Sequence, residues 1–253
     1  DQKYWYIGRI PFGRVFAIHL SRRLIAAMLA LNGRTARLIV TDLDNTLWGG
    51  IVGEIGPEAV SIGSDFPGNA FADFQRCLKA LSRRGIALAI SSKNTEETAL
   101  QVFSDRSEMV LSLNDFAAHR INWQDKASNV RALAEELALG EDAMCFIDDD
   151  PHERELIRQQ LPLAFVPDLP SDPAQRPAYL LDLPCLEMLD LTKEDLKRAD
   201  QYKSRAKVLA ARDQAESLED FYRSLEMRLS FEKLNSGNQA RILQLIAKTN
   251  QFN

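Results

Sequence analysis

The sequence has little cysteine and lacks a long apolar run. Its 253 residues include only three cysteines, Cys77, Cys145 and Cys185. An odd number at wide spacing suggests neither a disulfide framework nor a thiolate zinc site. The sequence also lacks eighteen consecutive apolar residues and an initial basic region followed by an apolar one, which argues against a membrane helix and a signal peptide. We therefore expect a cytoplasmic protein with no membrane partner.

The sequence also lacks an excess of positive charge. Its formal net charge is -5, so we predict no general attraction to nucleic acid. Apolar residues at 45% and charged residues at 26% are typical of a globular protein. The length fits one large or two small domains, and no internal repeat is evident. The residues at the two ends, Asp1 and Asn253, lead us to expect an excised module of a longer polypeptide.

Short apolar segments alternate with amphipathic ones along the first two thirds of the chain. Leu38, Ile39 and Val40 form a run too short for a helix and typical of a buried parallel strand. The alternation from 36 to 166 predicts an α/β fold with a doubly wound, mainly parallel sheet. The further predicted strands are 86–90, 109–112, 143–147 and 164–166.

Three other regions complete the predicted organisation around a catalytic core at 36–185. Residues 1–35 are a lead-in segment that contains a helix from about Val15 to Asn32. The glycine-rich segment 48–63 predicts a small hairpin, which is either a flap over a substrate or a mere connector. Residues 186–253 are predicted to be a C-terminal α+β extension packed on the core. Its basic helix, Lys197 to Lys207, is either a docking surface or ordinary solvated surface.

Two acidic residues follow the first predicted strand. Asp42 and Asp44 would share one face of an extended chain, about two residue rises of roughly 3.3 Å apart. Carboxylates this close repel each other unless a cation or a proton lies between them. The alternative is a strand followed by a simple turn, with Asp44 and Asn45 as turn-forming residues.

Polar residues follow the other predicted strands as well. Ser91 and Ser92 lie at a strand-to-helix junction, which suits a phosphate group. Lys126 begins a helix, at the end where the helix dipole disfavours a cation, so we expect it to face an anion. Asp148 and Asp149 end the fourth strand, where a divalent cation would relieve their repulsion. Because ligands of such sheets bind beyond the carboxyl ends of the strands, these residues predict a site for a Mg²⁺-bound phosphate ester.

The ordered set resembles the haloacid dehalogenase superfamily of phosphotransferases. The four motifs of that superfamily correspond to Asp42–Thr46, Ser92, Lys126, and Asp148 with Asp149. Longer stretches look like the FkbH-like proteins and domains of polyketide pathways, from about residue 36 to the end. These stretches are 42–50, 92–94, 122–126 and 248–253.

The resemblance implies a Rossmann-like core and a role for each site residue. Asp42 would be the nucleophile, and Asp44 the general acid and then the general base. Mg²⁺ would be held by Asp42, Asp149 and Asp44, the last through its carbonyl, with Asp148 in support. Ser92 and Lys126 would hold the phosphoryl oxygens, and Ser91 belongs to the same catalytic set. The remaining predicted substrate-binding residues are Asn45, Thr46, Trp48, Lys93, Asn94, Lys248 and Asn250.

The resemblance also implies an activity and its partners. Such domains take a glyceryl unit from 1,3-bisphosphoglycerate, remove phosphate and deliver the acyl group to the phosphopantetheine thiol of an acyl carrier protein, within a larger polyketide synthase or loading protein. A plain Mg²⁺-dependent phosphatase and a non-catalytic carrier-binding domain are the alternatives. Ser91 departs from the cysteine that the family commonly has, and we interpret it as an engineered replacement or as a mark of altered transfer.

Overall fold

The computed structural model describes residues 2–9 and 13–189 continuously, together with isolated positions between 200 and 243. The chain divides into two compact units, Asp1–Ala210 and Ala211–Asn253. Most of the predicted C-terminal extension, including much of the basic helix Lys197 to Lys207, lies outside the described residues. The predicted domain bounds therefore stay a prediction. Within the described residues, the helices are too short or too polar to cross a membrane.

The first unit is built on a four-stranded sheet in which every neighbouring pair is parallel, in the order β3-β2-β1-β4. Every residue of β1, β2 and β4 is buried, as expected for strands covered on both faces. The predicted parallel α/β sheet is confirmed. The strands are β1 Leu38–Thr41, β2 Ala87–Ser92, β3 Ala118–Ile121 and β4 Met144–Ile147.

Helices cover both faces of the sheet. Side chains alternate along each strand, so Ile39 and Leu88 join one apolar cluster while Val40 and Ala89 join the other. Helices α4, α5 and α8 contribute to the first cluster, and α6 and α7 contribute to the second. The helices are α1 Gln2–Gly8, α2 Arg14–Leu31, α3 Val52–Ile55, α4 Gly68–Arg83, α5 Glu96–Asp105, α6 Lys126–Leu137, α7 Pro151–Gln160 and α8 Arg176–Leu181.

The third strand was predicted in the wrong place. Residues 109–112 form no strand, because the backbone N–H groups of Val110 and Leu111 donate to the Gln75 side chain, at 2.9 and 3.0 Å. The strand that pairs with β2 is β3, whose centre is His119 and Arg120. Unlike β4 at the opposite edge, β3 is only partly buried at these two residues, so it carries polar side chains and lacks an apolar run. Of the predicted fifth strand, Phe165 makes a single parallel bridge to Cys145.

The segment after β1 is folded differently from the predicted hairpin. The short helix α3 and a 3₁₀ turn at Pro57–Ala59 occupy it, and one antiparallel bridge between Gly49 and Ser61 closes it. The guanidinium of Arg106 donates to the backbone carbonyls of Val60 and Ile62, at 2.8 and 2.9 Å. This connection ties the segment to the end of α5, so it is an ordered part of the unit.

The lead-in helix α2 contacts the end of the core. Arg22 pairs with Asp182 at 2.7 Å, and Arg23 pairs with Glu187 at 2.6 Å. Such partly exposed ion pairs contribute roughly 0–1 kcal/mol each, so they orient the helix more than they stabilise it. Helix α8 directly precedes Asp182 at the same end.

Candidate active site

The candidate site lies where the carboxyl ends of β1 and β4 meet. The chain continues from β1 to β2 on one side, whereas β4 pairs with β1 on the other. Such a change of direction leaves a crevice beyond the strand ends. A cavity of about 450 Å³ lies there. The predicted site residues that line it are Asp42, Asp44, Asn45, Ser92, Lys93, Lys126 and Asp149.

Three carboxylates in the site are arranged to hold a metal ion. Asp42, Asp148 and Asp149 each offer an oxygen, and these oxygens all lie within 4.8 Å of one another. The Asp42 Oδ1 atom is buried and has no hydrogen-bond partner among the described residues. A buried, unpartnered carboxylate oxygen in an acidic cluster fits a hard cation such as Mg²⁺, which prefers oxygen ligands. The cluster accords with the predicted magnesium site, and the Asp44 side chain is not part of it.

Lys126 balances part of this negative charge. Its Nζ lies 3.1 Å from Asp42 Oδ2 and 2.6 Å from Asp148 Oδ2, and the side chain is almost fully buried. Asp125 caps α6 by accepting a hydrogen bond from the Ser128 N–H, which fixes the start of the helix that carries the lysine. Burial alone would lower the pKa of Lys126, but the charges of Asp42 and Asp148 outweigh it and raise that pKa. The lysine therefore stays a cation.

The surroundings of the three acids in the cluster disfavour their charged form. Burial and then repulsion from Asp42 raise the pKa of Asp148 to about 7, with Lys126 opposing the rise. Burial raises the pKa of Asp42, and burial followed by the charge of Asp42 raises that of Asp149. With all three carboxylates ionised, a single lysine leaves the site net negative. A divalent cation bound there would supply the positive charge that the lysine alone does not provide.

Asp44 has very different surroundings from Asp42. Its Oδ1 accepts hydrogen bonds from Trp48 Nε1 at 2.8 Å and from the Val52 N–H at 3.1 Å. Its Oδ2 accepts one from Asn94 Nδ2 at 2.9 Å. Trp48 and Asn94, which we predicted to bind substrate, therefore contact Asp44 in this structure. Donors on both oxygens fix the direction of the carboxylate.

The loop after Asp44 is a turn as well as part of the site. Asn45 has φ +50°, a conformation that asparagine tolerates better than most residues. Its side-chain oxygen accepts a hydrogen bond from the Gly50 N–H at 2.8 Å. The Thr46 hydroxyl donates to Asp149 Oδ1 at 3.4 Å, a long contact that links the turn to the acidic cluster. The two interpretations of Asp44 and Asn45, turn and site, are therefore compatible.

The neighbouring serines of β2 differ in their access to the cavity. Ser92 lines it, and its Oγ accepts a hydrogen bond from Asn94 Nδ2 at 3.2 Å. Ser91 is fully buried, is absent from the cavity lining, and its Oγ has no hydrogen-bond partner among the described residues. Adjacent residues of a strand point to opposite faces, so only one of the two serines can face the cavity.

Of the other predicted substrate-binding residues, Lys93 is described by the structure whereas Lys248 and Asn250 are not. Lys93 lines the cavity, and its Nζ pairs with Glu153 Oε1 at 2.5 Å. Lys248 and Asn250 lie outside the described residues.

The sequence pattern did not predict the roles of two buried arginines, Arg154 and Arg176. Arg154 donates to the backbone carbonyls of Asp148 and Asp149, both at 2.8 Å, and so holds the end of β4. Arg176 donates to the Asn45 carbonyl, across 131 residues of sequence. A single arginine in a helical pattern is usually solvated, so nothing local in the sequence distinguishes these two.

No family model and no curated protein matches the sequence. Among solved structures, the N-terminal part of the protein BF1531 from Bacteroides fragilis, described as containing a phosphatase domain complexed with Mg, is 38% identical. The similarity covers 75% of this chain and 51% of that chain, with a TM-score of 0.71. This chain thus spans about half the length of that structure.

Two more distant structures were also found. A putative haloacid dehalogenase superfamily hydrolase from Legionella pneumophila is 18% identical over 76% of this chain and 99% of its own, with a TM-score of 0.40. The 3-deoxy-D-manno-octulosonate 8-phosphate phosphatase from Moraxella catarrhalis is 16% identical over 74% and 98%, with a TM-score of 0.36. The parallel sheet and the similarity to BF1531 together show that this chain shares the α/β fold of that phosphatase domain.

Proposed function

We propose that this chain is a Mg²⁺-dependent phosphatase that acts through a phosphorylated aspartate. The observation that carries the proposal is the convergence of Asp42, Lys126 and Asp149 at one cavity, where Asp148 is buried next to them and one oxygen of Asp42 has no partner. The similarity to the Mg-bound phosphatase domain of BF1531 supports it. Asp42, Asp148 and Asp149 would hold the cation, which when bound neutralises charge on the phosphoryl oxygens.

Asp42 is the nucleophile in this proposal. Its carboxylate attacks phosphorus, the bond from phosphorus to the ester oxygen breaks, and the leaving oxygen takes a proton from Asp44. Lys126, 3.1 Å from Asp42, donates to a phosphoryl oxygen and stabilises its negative charge. Ser92 lines the same cavity and offers a further hydroxyl donor.

Asp44 has the second proton task. Once it has lost its proton it accepts one from water, whose oxygen attacks phosphorus and releases Asp42 and inorganic phosphate. The hydrogen bonds from Trp48, Val52 and Asn94 hold its carboxylate in a fixed direction. That restriction suits a residue that must meet first the leaving group and then a water molecule at one place.

The proposal is tested with p-nitrophenyl phosphate and acetyl phosphate as substrates. We expect phosphate release with Mg²⁺, its loss with a chelator, and a phosphorylated protein detectable by intact mass after rapid acid quenching. Asp42→Asn removes the nucleophile, and Asp168→Asn, at an exposed surface position, is the matched control. Equal turnover by the Asp42→Asn and Asp168→Asn proteins would exclude Asp42 as the nucleophile.

A finer proposal concerns the substrate and is carried by the sequence motifs. We propose that the phosphatase chemistry serves glyceryl transfer from 1,3-bisphosphoglycerate to the phosphopantetheine thiol of an acyl carrier protein. In that transfer the thiolate attacks the acyl carbon, the bond to the 1-phosphate oxygen breaks, and Asp42 removes the 3-phosphate. The step does not use Ser91, which is buried away from the cavity.

The finer proposal is tested with 1,3-bisphosphoglycerate in the presence and absence of a phosphopantetheinylated carrier protein. We expect the intact mass of the carrier to increase by a glyceryl group only when the enzyme is present. Ser91→Cys tests whether a thiol at that position alters transfer, with Ser91→Ala as its control. Phosphate release without any carrier adduct leaves the plain phosphatase, and no turnover in either assay leaves the non-catalytic carrier-binding alternative.

A further inference from the structure

A second cavity adjoins the candidate active site. Its volume is about 550 Å³, and it shares Asn45 and Asp149 with the first cavity. Phe66, Pro67 and Phe71 contribute apolar surface to its lining. A space of this size beside a phosphoryl site is large enough for the part of a small substrate that does not react.

Arg176 brings a buried positive charge to this second cavity. Its residue surface is only 4% exposed, yet it belongs to the cavity lining. A guanidinium has five N–H donors. Three of them donate to the backbone carbonyls of Asn45, Pro170 and Ser171. Two donors are therefore left without a partner among the described residues.

The charge of Arg176 is not paired with a carboxylate within 4.0 Å in the described part of the chain. The charges of Asp149 and Asp172 act on it from a longer distance. A buried guanidinium with no carboxylate in contact is still unusual, because removing its charge from water costs free energy that a partner normally offsets. The Phe71 ring lies 5.6 Å from the guanidinium carbon and favours the cation. The three hydrogen bonds to backbone carbonyls fix the direction of the side chain, so the two remaining N–H groups also have fixed positions.

We propose that the second cavity holds the leaving part of the substrate, and that Arg176 binds a compact anionic oxygen group on it. This inference rests on the proposed phosphatase activity, which places the phosphoryl group in the first cavity. Carboxylate and phosphate groups share the geometry that a guanidinium recognises. The subsite would therefore select phosphate esters with a second anion over esters that end in a hydroxyl group.

A purely structural role for Arg176 makes a different prediction. The three backbone carbonyls alone would explain a residue that only supports the turn at Asn45. Loss of such a support would affect every substrate alike, whereas loss of a subsite affects only substrates with the second anion. The test therefore compares substrates that share one carbon skeleton.

The experiment uses glycerol 3-phosphate, 3-phosphoglycerate and glycerol 1,3-bisphosphate, which differ in carrying no second anion, a carboxylate or a phosphate. We expect kcat/KM for one or both anionic esters to exceed that for glycerol 3-phosphate by about tenfold or more. Arg176→Met should abolish this preference through KM, and any effect of the lost Asn45 contact should lower kcat for all three esters by the same factor. Arg176→Lys should restore part of the preference, and Arg131→Met, at an exposed position of α6, should change nothing.

Binding measured by calorimetry with Ca²⁺ separates this inference from the proposed function. Turnover of all three esters without any preference would overturn the subsite and leave the phosphatase. Preferential, Arg176-dependent binding without turnover would support the subsite and overturn the proposed phosphatase activity. An equal loss with all three substrates in both Arg176 variants, or the absence of both binding preference and turnover, would also overturn the subsite. Thermal unfolding identifies a variant that does not fold, and the Arg176→Lys protein then decides.

Discussion

Aspartates at the strand ends and aspartates in the connecting segments have opposite electrostatic surroundings. Burial raises the pKa values of Asp42 and Asp148. Hydrogen bonds from Ser128 lower the pKa of Asp125, and an ion pair with Arg158 lowers that of Asp168. Asp125 and Asp168 find donors three and ten residues away along the chain, whereas the strand-end acids are buried opposite one another.

The difference shows which acids serve stability and which serve binding. A carboxylate with a raised pKa is easier to ionise in the unfolded chain, so its charge opposes folding at neutral pH. A carboxylate with a lowered pKa contributes stability instead. A bound cation can supply the positive charge that acids opposing folding lack. Perturbed pKa values are also typical of functional sites. The following predictions test this division.

The largest expected effect is the loss of activity in Asp42→Asn. The amide cannot attack phosphorus, so phosphate release should fall by about 10³-fold or more. Removing one of the three clustered carboxylates should leave the free energy of unfolding unchanged or raise it slightly. Initial rates and urea titrations of the same preparation measure both. A fall in activity that merely follows unfolding would mean that Asp42 is a structural residue.

A smaller effect on rate is expected at the residues that hold Asp44. Asn94→Ala and Trp48→Phe each remove one donor to a carboxylate, an interaction of about 1.5–3 kcal/mol, so we expect kcat to fall by roughly tenfold or more. KM should change little, because the structure places both side chains on Asp44. Steady-state kinetics distinguishes the two roles. A raised KM with an unchanged kcat would favour the substrate-binding role predicted from the sequence.

The metal site predicts a stabilisation by Mg²⁺. At a concentration one hundred times its dissociation constant, a ligand that binds only the folded state adds about 2.7 kcal/mol to the free energy of unfolding. We expect Mg²⁺ to raise the melting temperature of the wild type and of Asp168→Asn, but much less that of Asp149→Asn. Calorimetric scans with and without a chelator measure the shift. An undiminished shift in Asp149→Asn would remove that residue from the site.

Asp115 should stabilise the folded state at neutral pH, unlike the acids of the metal cluster, and this stabilisation should depend on pH. Burial alone would raise its pKa, but hydrogen bonds from Ser112 and the charge of Lys79 outweigh burial and lower it. Its contribution is therefore present above the unfolded pKa of 3.8 and lost as the pH falls through the lower folded value. Asp115→Asn should cost about 1 kcal/mol at pH 7 and less at pH 2–3, with activity unchanged. Urea titrations across pH test this, and an equal cost at both pH values would contradict it.

The smallest effect concerns Ser91, a buried polar group in neither class. Its hydroxyl has no partner among the described residues, and burying an unsatisfied hydroxyl is unfavourable. Ser91→Ala should therefore change the free energy of unfolding by about 1 kcal/mol or less, towards greater stability, with phosphatase activity retained. Ser92→Ala, at the cavity, should instead reduce activity. Loss of phosphate release in Ser91→Ala would show that Ser91 reaches the reaction after all.

Most of the core could be predicted because three of its four strands are marked by apolar runs. Apolar runs at 38–40, 86–90 and 143–147 predicted β1, β2 and β4, and the polar residues that follow them predicted one edge of the sheet. The edge strand β3 was missed because half-exposed strands lack an apolar run. The segment after β1 was predicted as a hairpin because glycines signal turns equally well around short helices.

By itself the sequence determined that Asp42, Ser92, Lys126 and Asp149 would share one end of the sheet, because parallel strands deliver their carboxyl ends to the same side. Only the tertiary structure decided what each side chain contacts there. Asp44 is held by Asn94, 50 residues away, and Arg176 reaches the Asn45 carbonyl from 131 residues away. Such contacts depend on the packing of distant segments, which no local pattern of residues records.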